Sequence, residues 1–469
     1  MPAILRGNGF LGYAILGPEG QNLRKALKWT ACFIVLLFAF SLSVTGQAQS
    51  PPKINAEAVS LNNRGLQLFQ KGKVDEAIAL YRQALAIQPD FPEALDNLGL
   101  ALDAKGNDPE AIADFDKALT LKPGDAVTES NRGLALYHEK KYNESIAAYQ
   151  QAISFRANFP EAYNGMGATL LAAGRADEAI AAYHEALRLK SNYVDAMNNL
   201  GAALDSKKQW DEAILVYRQA LEIAPKAVDI RGNLAAALQG AGRTDDAIFE
   251  YREIVAARPN DAHAFFQLGH LLYEKGKIPE AIEALKKSFD LDPNQAETAL
   301  NLARAYQDAG DLSAAIDNYQ KGLALKPDDL HGLYNLGNAY LSAQEPKKAE
   351  ASFRKALEIQ PDFAIALQGL GMAQMQAGDL DGARLSFVKL TTMQPDNADA
   401  QFNLGNVLFN KGQYKTAAEA YGEAIRLNAK LAHAHYNLGM ALLRLNDQSG
   451  ADKEFREAVK IDPKLTPPK

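Results

Sequence analysis

A period of 34 residues governs most of this 469-residue sequence. When numbering starts at Ala58 and restarts every 34 residues, twelve repeats follow one another to Leu465 without insertion or deletion. Position 8 of the repeat is Gly or Ala, position 20 is Ala or Ser, and position 24 is aromatic in eleven repeats. Position 32 is Pro in nine repeats. This regularity excludes an ordinary single-core domain and indicates stacked copies of one structural unit.

Each repeat carries the pattern of two helices joined by a tight turn. Apolar residues recur at spacings of three and four, which is the helical period. Glycine stands at position 15 in eight repeats, where a left-handed residue would end the first helix. The small residues at positions 8 and 20 allow the two helices to approach closely, while the ring at position 24 fills the remaining space. The sequence therefore predicts an all-α chain of helical hairpins.

Gly at position 8, Ala-x-x-x-[Tyr/Phe] from 20 to 24 and Pro at 32 together resemble the tetratricopeptide repeat (TPR) pattern. The resemblance covers residues 58–465, about 87% of the chain. It implies a right-handed superhelical solenoid of helix-turn-helix hairpins. The predicted organisation is a leader and signal peptide at 1–48, a short linker at 49–57, twelve repeats at 58–465 and a C-terminal tail at 466–469.

The N-terminal segment has the pattern of a secretory signal. Arg24, Lys25 and Lys28 precede about 14 apolar residues, and the small residues Gly46 and Ala48 then mark a cleavage site. We expect an exported protein of the periplasm or cell envelope, cleaved after Ala48. The alternatives are an uncleaved anchor in the inner membrane, with the repeats outside the cytoplasm, and a buried helix.

The composition argues against catalysis and cofactor binding. Cys32 is the only cysteine, and the seven histidines are scattered, so neither a cysteine cluster nor a multi-histidine metal centre is expected. The net charge of −7 does not favour nucleic-acid binding. The repeats leave no room for a catalytic domain. We therefore predict a protein that is not an enzyme and has no cofactor and no metal site.

The resemblance also implies which residues could face a ligand, namely positions 2, 5, 6, 9, 12 and 13 of the first helix. Position 6 is asparagine in nine repeats: Asn63, Asn97, Asn131, Asn199, Asn233, Asn301, Asn335, Asn403 and Asn437. This array is similar to the asparagine ladder in the TPR domain of O-linked N-acetylglucosamine transferase, although the catalytic domain of that enzyme is missing. An asparagine amide can bind the N–H and C=O of an extended peptide. Alternatively, these asparagines only bridge neighbouring repeats.

The other ligand-facing positions differ between the two halves of the chain. Repeats 2 to 6 supply acidic residues: Glu93, Asp96, Asp103, Glu161, Asp195, Asp205 and Asp229. Repeats 7 to 12 supply histidines and aromatic residues: His263, Phe266, His270, Tyr273, His331, Tyr334, Phe402, Phe409, His433 and Tyr436. Aromatic side chains in a groove are typical binding anchors, but TPR repeats also favour them for packing. The acidic residues predict a preference for basic segments.

These observations predict a non-catalytic protein–protein interaction scaffold of the cell envelope that binds a partner protein or an extended peptide in its concave groove. The alternative is a non-catalytic subunit of an envelope glycosyltransferase or polymer-secretion complex. Self-association through the ends of the solenoid is a third possibility. No nucleic-acid partner is expected, and the membrane would be contacted only through an uncleaved N-terminal segment.

Overall fold

The computed structural model describes residues 55–468, and all regular secondary structure in this range is helical. The predicted signal peptide lies outside the described residues. Twenty-four helices follow one another: α1 Ala56–Gln70, α2 Val74–Ile87, α3 Pro92–Lys105, α4 Asp108–Leu121, α5 Ala126–His138, α6 Tyr142–Phe155, α7 Pro160–Ala172, α8 Ala176–Leu189, α9 Val194–Ser206, α10 Trp210–Ile223, α11 Val228–Gly240, α12 Thr244–Ala257, α13 Ala262–Glu274, α14 Ile278–Leu291, α15 Ala296–Asp308, α16 Leu312–Leu325, α17 Leu330–Ser342, α18 Pro346–Ile359, α19 Ala364–Gln376, α20 Leu380–Met393, α21 Ala398–Asn410, α22 Tyr414–Leu427, α23 Ala432–Arg444 and α24 Gln448–Ile461.

The helix boundaries repeat as regularly as the sequence. From the second repeat onward the first helix begins at position 1, and the second helix spans positions 17–30 in every repeat. The second helix ends before position 32, because the proline that stands there in most repeats cannot continue it. The predicted all-α fold of two helices per repeat is confirmed.

The turn between the two helices has one conformation throughout. Position 15 has a positive φ in all twelve repeats, including the four that lack glycine. In those four repeats the residues are Lys140, Lys208, Gln344 and Asn446, with φ between 59° and 62°. The left-handed residue predicted from the eight glycines is therefore a property of the hairpin itself.

Within a hairpin, the aromatic ring at position 24 packs directly on the glycine at position 8. A Cβ placed on Gly99 would lie 2.7 Å from the ring of Phe115, which is closer than side-chain carbons approach. The rings at position 24 are buried, as Tyr81, Phe115 and Tyr183 show. The prediction that small residues bring the two helices together is confirmed, and the ring covers the glycine itself.

The chain forms two compact units, which divide between Ala257 and Arg258. Unit 1 contains α1–α12 and unit 2 contains α13–α24, so each unit is a stack of six hairpins. Inside each unit the second helix of a hairpin packs on the first helix of the next one. First helices of successive hairpins also lie against one another at most steps of the stack. Among residues 55–468, no helix is both long enough and apolar enough to cross a membrane.

Candidate peptide-binding surface

In unit 1, position 6 of four of the six first helices faces position 5 of the repeat before it. Four position-6 asparagines donate a hydrogen bond from Nδ2 across this boundary: Asn97 to Asn62 (3.0 Å), Asn131 to Asp96 (3.1 Å), Asn199 to Asn164 (3.0 Å) and Asn233 to Asn198 (2.8 Å). The acceptors Asn62 and Asn164 are buried. Asn63 has no preceding repeat and is exposed. These amides therefore join neighbouring repeats, and their contact with a peptide stays a prediction.

The same positions are arranged differently in unit 2. Asn301 and Asn335 follow repeats whose position 5 is Phe266 or Leu300, and these apolar side chains cannot accept a hydrogen bond. Within residues 55–468, the side chains of Asn301, Asn335 and Asn403 make no hydrogen bond, although all three are partly buried. The fourth asparagine of unit 2, Asn437, donates to Asn406 at 2.8 Å. Unit 2 thus presents three amides whose donors and acceptors are not used by the chain.

The aromatic residues of unit 2 line the same helices and are partly buried. Three position-5 rings pack on the position-24 ring of their own repeat: Tyr334 on Phe353 (6.0 Å between centroids), Phe402 on Tyr421 (5.9 Å) and Tyr436 on Phe455 (5.3 Å). These rings support the core on one side and keep part of their surface exposed. Both interpretations raised by the sequence, packing and binding, are compatible with this placement.

The remaining predicted residues form contacts along α13 and at position 12. The rings of Phe266 and His270 stack with 6.2 Å between their centroids, and His263 lies 3.1 Å from the amide of Gln267. Tyr273 donates its hydroxyl hydrogen to Asp308 at 2.5 Å. Phe409 meets Tyr414 edge-on at 5.3 Å between centroids. The predicted histidine and aromatic side chains of unit 2 therefore fall on α13, α17, α21 and α23, each already in contact with its own or the next repeat.

Some acidic residues of unit 1 lie close to basic side chains of the same chain. Glu93 lies 3.6 Å from Lys122, and Glu161 lies 3.6 Å from Lys190. Both lysines occupy position 31, between hairpins, and therefore lie outside the ligand-facing positions of the first helix. Asp103 lies 2.7 Å from Nδ1 of His138. The negative surface that the sequence indicated is therefore weaker than the residue count suggests.

Burial raises the pKa of Asp195 and, more strongly, the pKa values of Asp96 and Asp205. It raises the pKa of Asp96 to about 6, although the hydrogen bond from Asn131 lowers it in part. Burial also raises the pKa of Asp205 to about 7, again against a hydrogen bond that Tyr217 donates at 2.9 Å. Both groups carry less negative charge near neutral pH than exposed carboxylates would.

Family models of the tetratricopeptide repeat match nearly the whole repeat region. A model described as "TPR repeat" matches residues 65–106, 133–174, 269–310 and 405–446. Four further models are each described as "Tetratricopeptide repeat". The first matches residues 158–226, the second matches 206–268 and 340–404, the third matches 300–362, and the fourth matches 92–125 and 432–465. Together these matches cover residues 65–125 and 133–465.

Several solved structures resemble parts of the chain. The MamA protein is 30% identical over 37% of this chain and 96% of its own, with a TM-score of 0.36. YrrB, described as a TPR protein with an unusual peptide-binding site, is 23% identical over 40% of this chain and 98% of its own, with a TM-score of 0.38. The Cut9–Hcn1 tetramer is 16% identical over 88% of this chain and 95% of its own, with a TM-score of 0.40. No curated protein matches the sequence. On the family matches and the repeated hairpins, the chain belongs to the tetratricopeptide repeat family.

Proposed function

We propose that unit 2 binds an extended segment of a partner protein along its first helices. TPR arrays are protein-interaction scaffolds, and this chain has their architecture. In this proposal Asn301, Asn335 and Asn403 bind the peptide backbone, and the rings at positions 5 and 12 contact its side chains. The three amides without a hydrogen bond to the chain are the observation that carries the proposal.

The side chains of Asn301, Asn335 and Asn403 are only partly buried, so their amide donors and acceptors can bind a partner. Each of the three asparagines offers one acceptor and two donors, which match the N–H and C=O of a peptide unit. Such contacts recognise the backbone and leave the partner's sequence largely free. In unit 1 the corresponding amides are already used between repeats, so the proposal assigns peptide binding to unit 2.

The rings provide the second half of the recognition. Tyr334, Phe402 and Tyr436 each keep one part of the ring exposed while the other part packs on a buried ring. Rigid aromatic side chains of this kind lose little conformational entropy on binding and are typical anchors. The expected preference is therefore for segments with apolar side chains. The preference for basic segments was tied to the acidic residues of unit 1, of which Glu93, Glu161 and Asp103 lie close to basic side chains of the chain.

We further propose that the protein acts outside the cytoplasm, in the periplasm or cell envelope. The basic residues, apolar stretch and small-residue site before Gln49 support export with cleavage. N-terminal sequencing of the protein from the envelope fraction is expected to start at Gln49. Recovery with residues 29–45 still attached, in the membrane, would show an uncleaved anchor instead.

The peptide-binding proposal can be tested with a random library of 12-residue peptides selected on the purified chain. Neighbouring helix axes lie about 8–10 Å apart, or roughly three residues of extended chain, so this length spans several repeats. Selected peptides are then measured by fluorescence anisotropy against a variant with Asn301, Asn335 and Asn403 all changed to Ala. At about 0.5–1.5 kcal/mol per hydrogen bond, affinity is expected to fall at least tenfold.

The matched control changes Asn97, Asn199 and Asn233 to Ala in unit 1. This variant is expected to have a lower melting temperature, because it loses bonds between repeats, and to keep its peptide affinity. The unit 2 variant is expected to keep its melting temperature and to lose peptide affinity. Equal affinity for wild type and the unit 2 variant, or the failure of any peptide to be selected, would contradict the proposal.

A further inference from the structure

We propose that α19 holds the subsite that determines specificity, where Ile365 and Met372 bind one large apolar side chain of the partner's segment. This inference rests on the peptide binding proposed above for unit 2 and names the class of residue that the segment must carry. Ile365 is 44% exposed and Met372 is 42% exposed. Within residues 55–468, no other large hydrophobic residue on the first helix of a hairpin is exposed to this degree.

The two side chains lie on the part of α19 that corresponds to the asparagines of its neighbours. Ile365, Gly369 and Met372 occupy positions 2, 6 and 9 of their repeat, and spacings of four and three residues place them on one face of the helix. The same three positions are polar on both neighbouring first helices: His331, Asn335 and Asn338 on α17, and Asp399, Asn403 and Asn406 on α21. The proposed binding surface therefore changes from polar to apolar at α19 and back to polar at α21.

Glycine at position 6 removes the amide that would otherwise bind the peptide backbone on α19. A Cβ on Gly369 would lie 2.6 Å from the ring of Phe353 in the preceding hairpin, so an asparagine here would displace that buried ring. The segment consequently finds no position-6 amide on α19, and Ile365 and Met372 are the exposed groups on either side of the glycine. Contact with a peptide side chain replaces contact with the peptide backbone at this repeat.

An aromatic cluster adjoins the N-terminal end of this face. Phe363 directly precedes α19, and its ring lies 5.9 Å from the ring of Tyr334 and 5.8 Å from the ring of His331, both on α17. Ile365 follows Phe363 by two residues, so the apolar surface continues from α17 onto α19. At the other end, Met372 has a flexible and polarizable side chain that can adapt to partners of different shape. The subsite therefore suits large apolar side chains as a class.

Charge distinguishes this part of the surface from the rest of unit 2. The ligand-facing positions of α17 and α19 contain no Asp, Glu, Lys or Arg. Each of the other four first helices of unit 2 carries at least one such residue there: Glu274 on α13, Glu297, Arg304 and Asp308 on α15, Asp399 on α21, and Arg444 on α23. A charged peptide side chain placed over α19 would lose water and gain no ionic partner, which is unfavourable. The occupant is therefore an uncharged, apolar residue.

The spacing of the helices sets the position of this residue in the segment. Neighbouring helix axes lie about 8–10 Å apart, or roughly three residues of extended chain. The apolar residue therefore falls about three positions from the peptide units that Asn335 and Asn403 bind. The segment is recognised by its backbone on α17 and α21, and by one side chain between them.

The test extends the selection of 12-residue peptides to variants of α19. Peptides selected on the wild-type chain should share one position occupied by Leu, Ile, Met or Phe. Changing that peptide residue to Ala should lower the affinity measured by fluorescence anisotropy about tenfold. Peptides selected on the Ile365→Asp chain should instead carry Lys or Arg at that position. Aspartate already stands at position 2 in three other repeats, as Asp195, Asp229 and Asp399.

Two further variants complete the comparison. Met372→Ser should weaken binding of the peptides selected on the wild-type chain. Leu385→Ser is the matched control, because Leu385 is an exposed apolar residue of the same repeat, 61% exposed, but lies on the second helix α20. This control should bind the same peptides as the wild type does.

Circular dichroism of each variant shows whether it is folded, and Met372→Ser keeps the test decisive if the Ile365→Asp chain is not. Selected peptides that bind unit 2 but share no apolar position would overturn the subsite and leave the proposed function intact. Unchanged peptide preference and affinity in the folded α19 variants would do the same. Failure to select any peptide on the wild-type chain would contradict the proposed function, and the subsite would fall with it.

Discussion

At the residue scale, several features depend on contacts with residues that are distant in the sequence. The left-handed turn at position 15 could be predicted in the eight repeats with glycine. Lys140, Lys208 and Gln344 adopt it too, although this conformation costs a residue with a side chain about 1–2 kcal/mol. The packing of the two helices supplies that energy, and no local pattern reveals it.

The pairing of position 6 with position 5 also depends on a contact between residues that are distant in the sequence. The sequence showed the asparagines in register but left open whether they bind a peptide or bridge repeats. Whether an asparagine of unit 1 bridges repeats depends on the side chain 35 residues earlier, because the stacking of hairpins places that side chain opposite the amide. In unit 2 a phenylalanine or leucine stands opposite Asn301 and Asn335, and their amides are left for another partner.

A pH-dependent prediction follows for Asp96, which occupies position 5 where Asn62, Asn164 and Asn198 stand in other repeats. Its pKa is raised from 3.8 to about 6 by burial, so the folded chain keeps this proton to higher pH than the unfolded chain does. Its contribution to stability therefore falls as pH rises from about 4 to 6, and the loss is complete above pH 6. Asp96→Asn retains an acceptor for Asn131 and has no proton to lose.

We expect Asp96→Asn to stabilise the chain by about 1–3 kcal/mol at pH 8, with little effect at pH 4. Thermal unfolding followed by circular dichroism at both pH values measures this difference. Asp90→Asn, at an exposed loop position, controls for the loss of one negative charge. A gain of the same size at pH 4 and pH 8 would contradict the explanation.

At the element scale, the helical hairpin is set by the contact between position 8 and position 24. This contact could be predicted from the sequence, because a small residue and an aromatic residue recur sixteen positions apart. The sequence did not show how closely the ring at position 24 approaches the residue at position 8. In the fifth repeat a Cβ on Gly201 would overlap the ring of Tyr217, whereas Ala235 occupies the same position in the next repeat.

Two glycine substitutions in unit 1 test this contact. Gly201→Ala is expected to destabilise the chain by about 1–3 kcal/mol, because the added methyl group forces the ring of Tyr217 to move. We expect a destabilisation near the lower end of this range, because Ala235 shows that a hairpin can accommodate a methyl group at position 8. Gly232→Ala, in a first helix with nothing within 4 Å of the new Cβ, is expected to stabilise by about 0.5–1 kcal/mol. Urea unfolding of both variants measures the difference, and equal effects would contradict the proposed role of position 8.

At the scale of the whole molecule, the number of hairpins and their order could be predicted, but the division into two units could not. The period of 34 residues continues through Ala257 and Arg258 without a change in length. What differs is position 5 of the repeat, which is Asn or Asp in four repeats of unit 1 and aromatic or aliphatic in five repeats of unit 2. That difference is visible in the sequence, but it does not by itself indicate a boundary between Ala257 and Arg258.

The last prediction concerns how far a local change spreads along the array. Each hairpin contacts mainly its neighbours, so stability is expected to be a sum of local terms. Removing residues 432–469 deletes α23 and α24 together, two of the 24 described helices. The far-ultraviolet circular dichroism signal should therefore fall by about one twelfth, and the remaining chain should still unfold cooperatively.

The informative comparison is a chain that stops after Asp447 and loses α24 alone. In that chain Gly439 and Ala441 remain, but the ring of Phe455 that covers Gly439 is gone. The shorter deletion should therefore destabilise the protein more than the longer one, because it exposes an apolar helix face that the whole-hairpin deletion removes. Loss of most helical signal after the whole-hairpin deletion would show that stability is shared across the array and is not local.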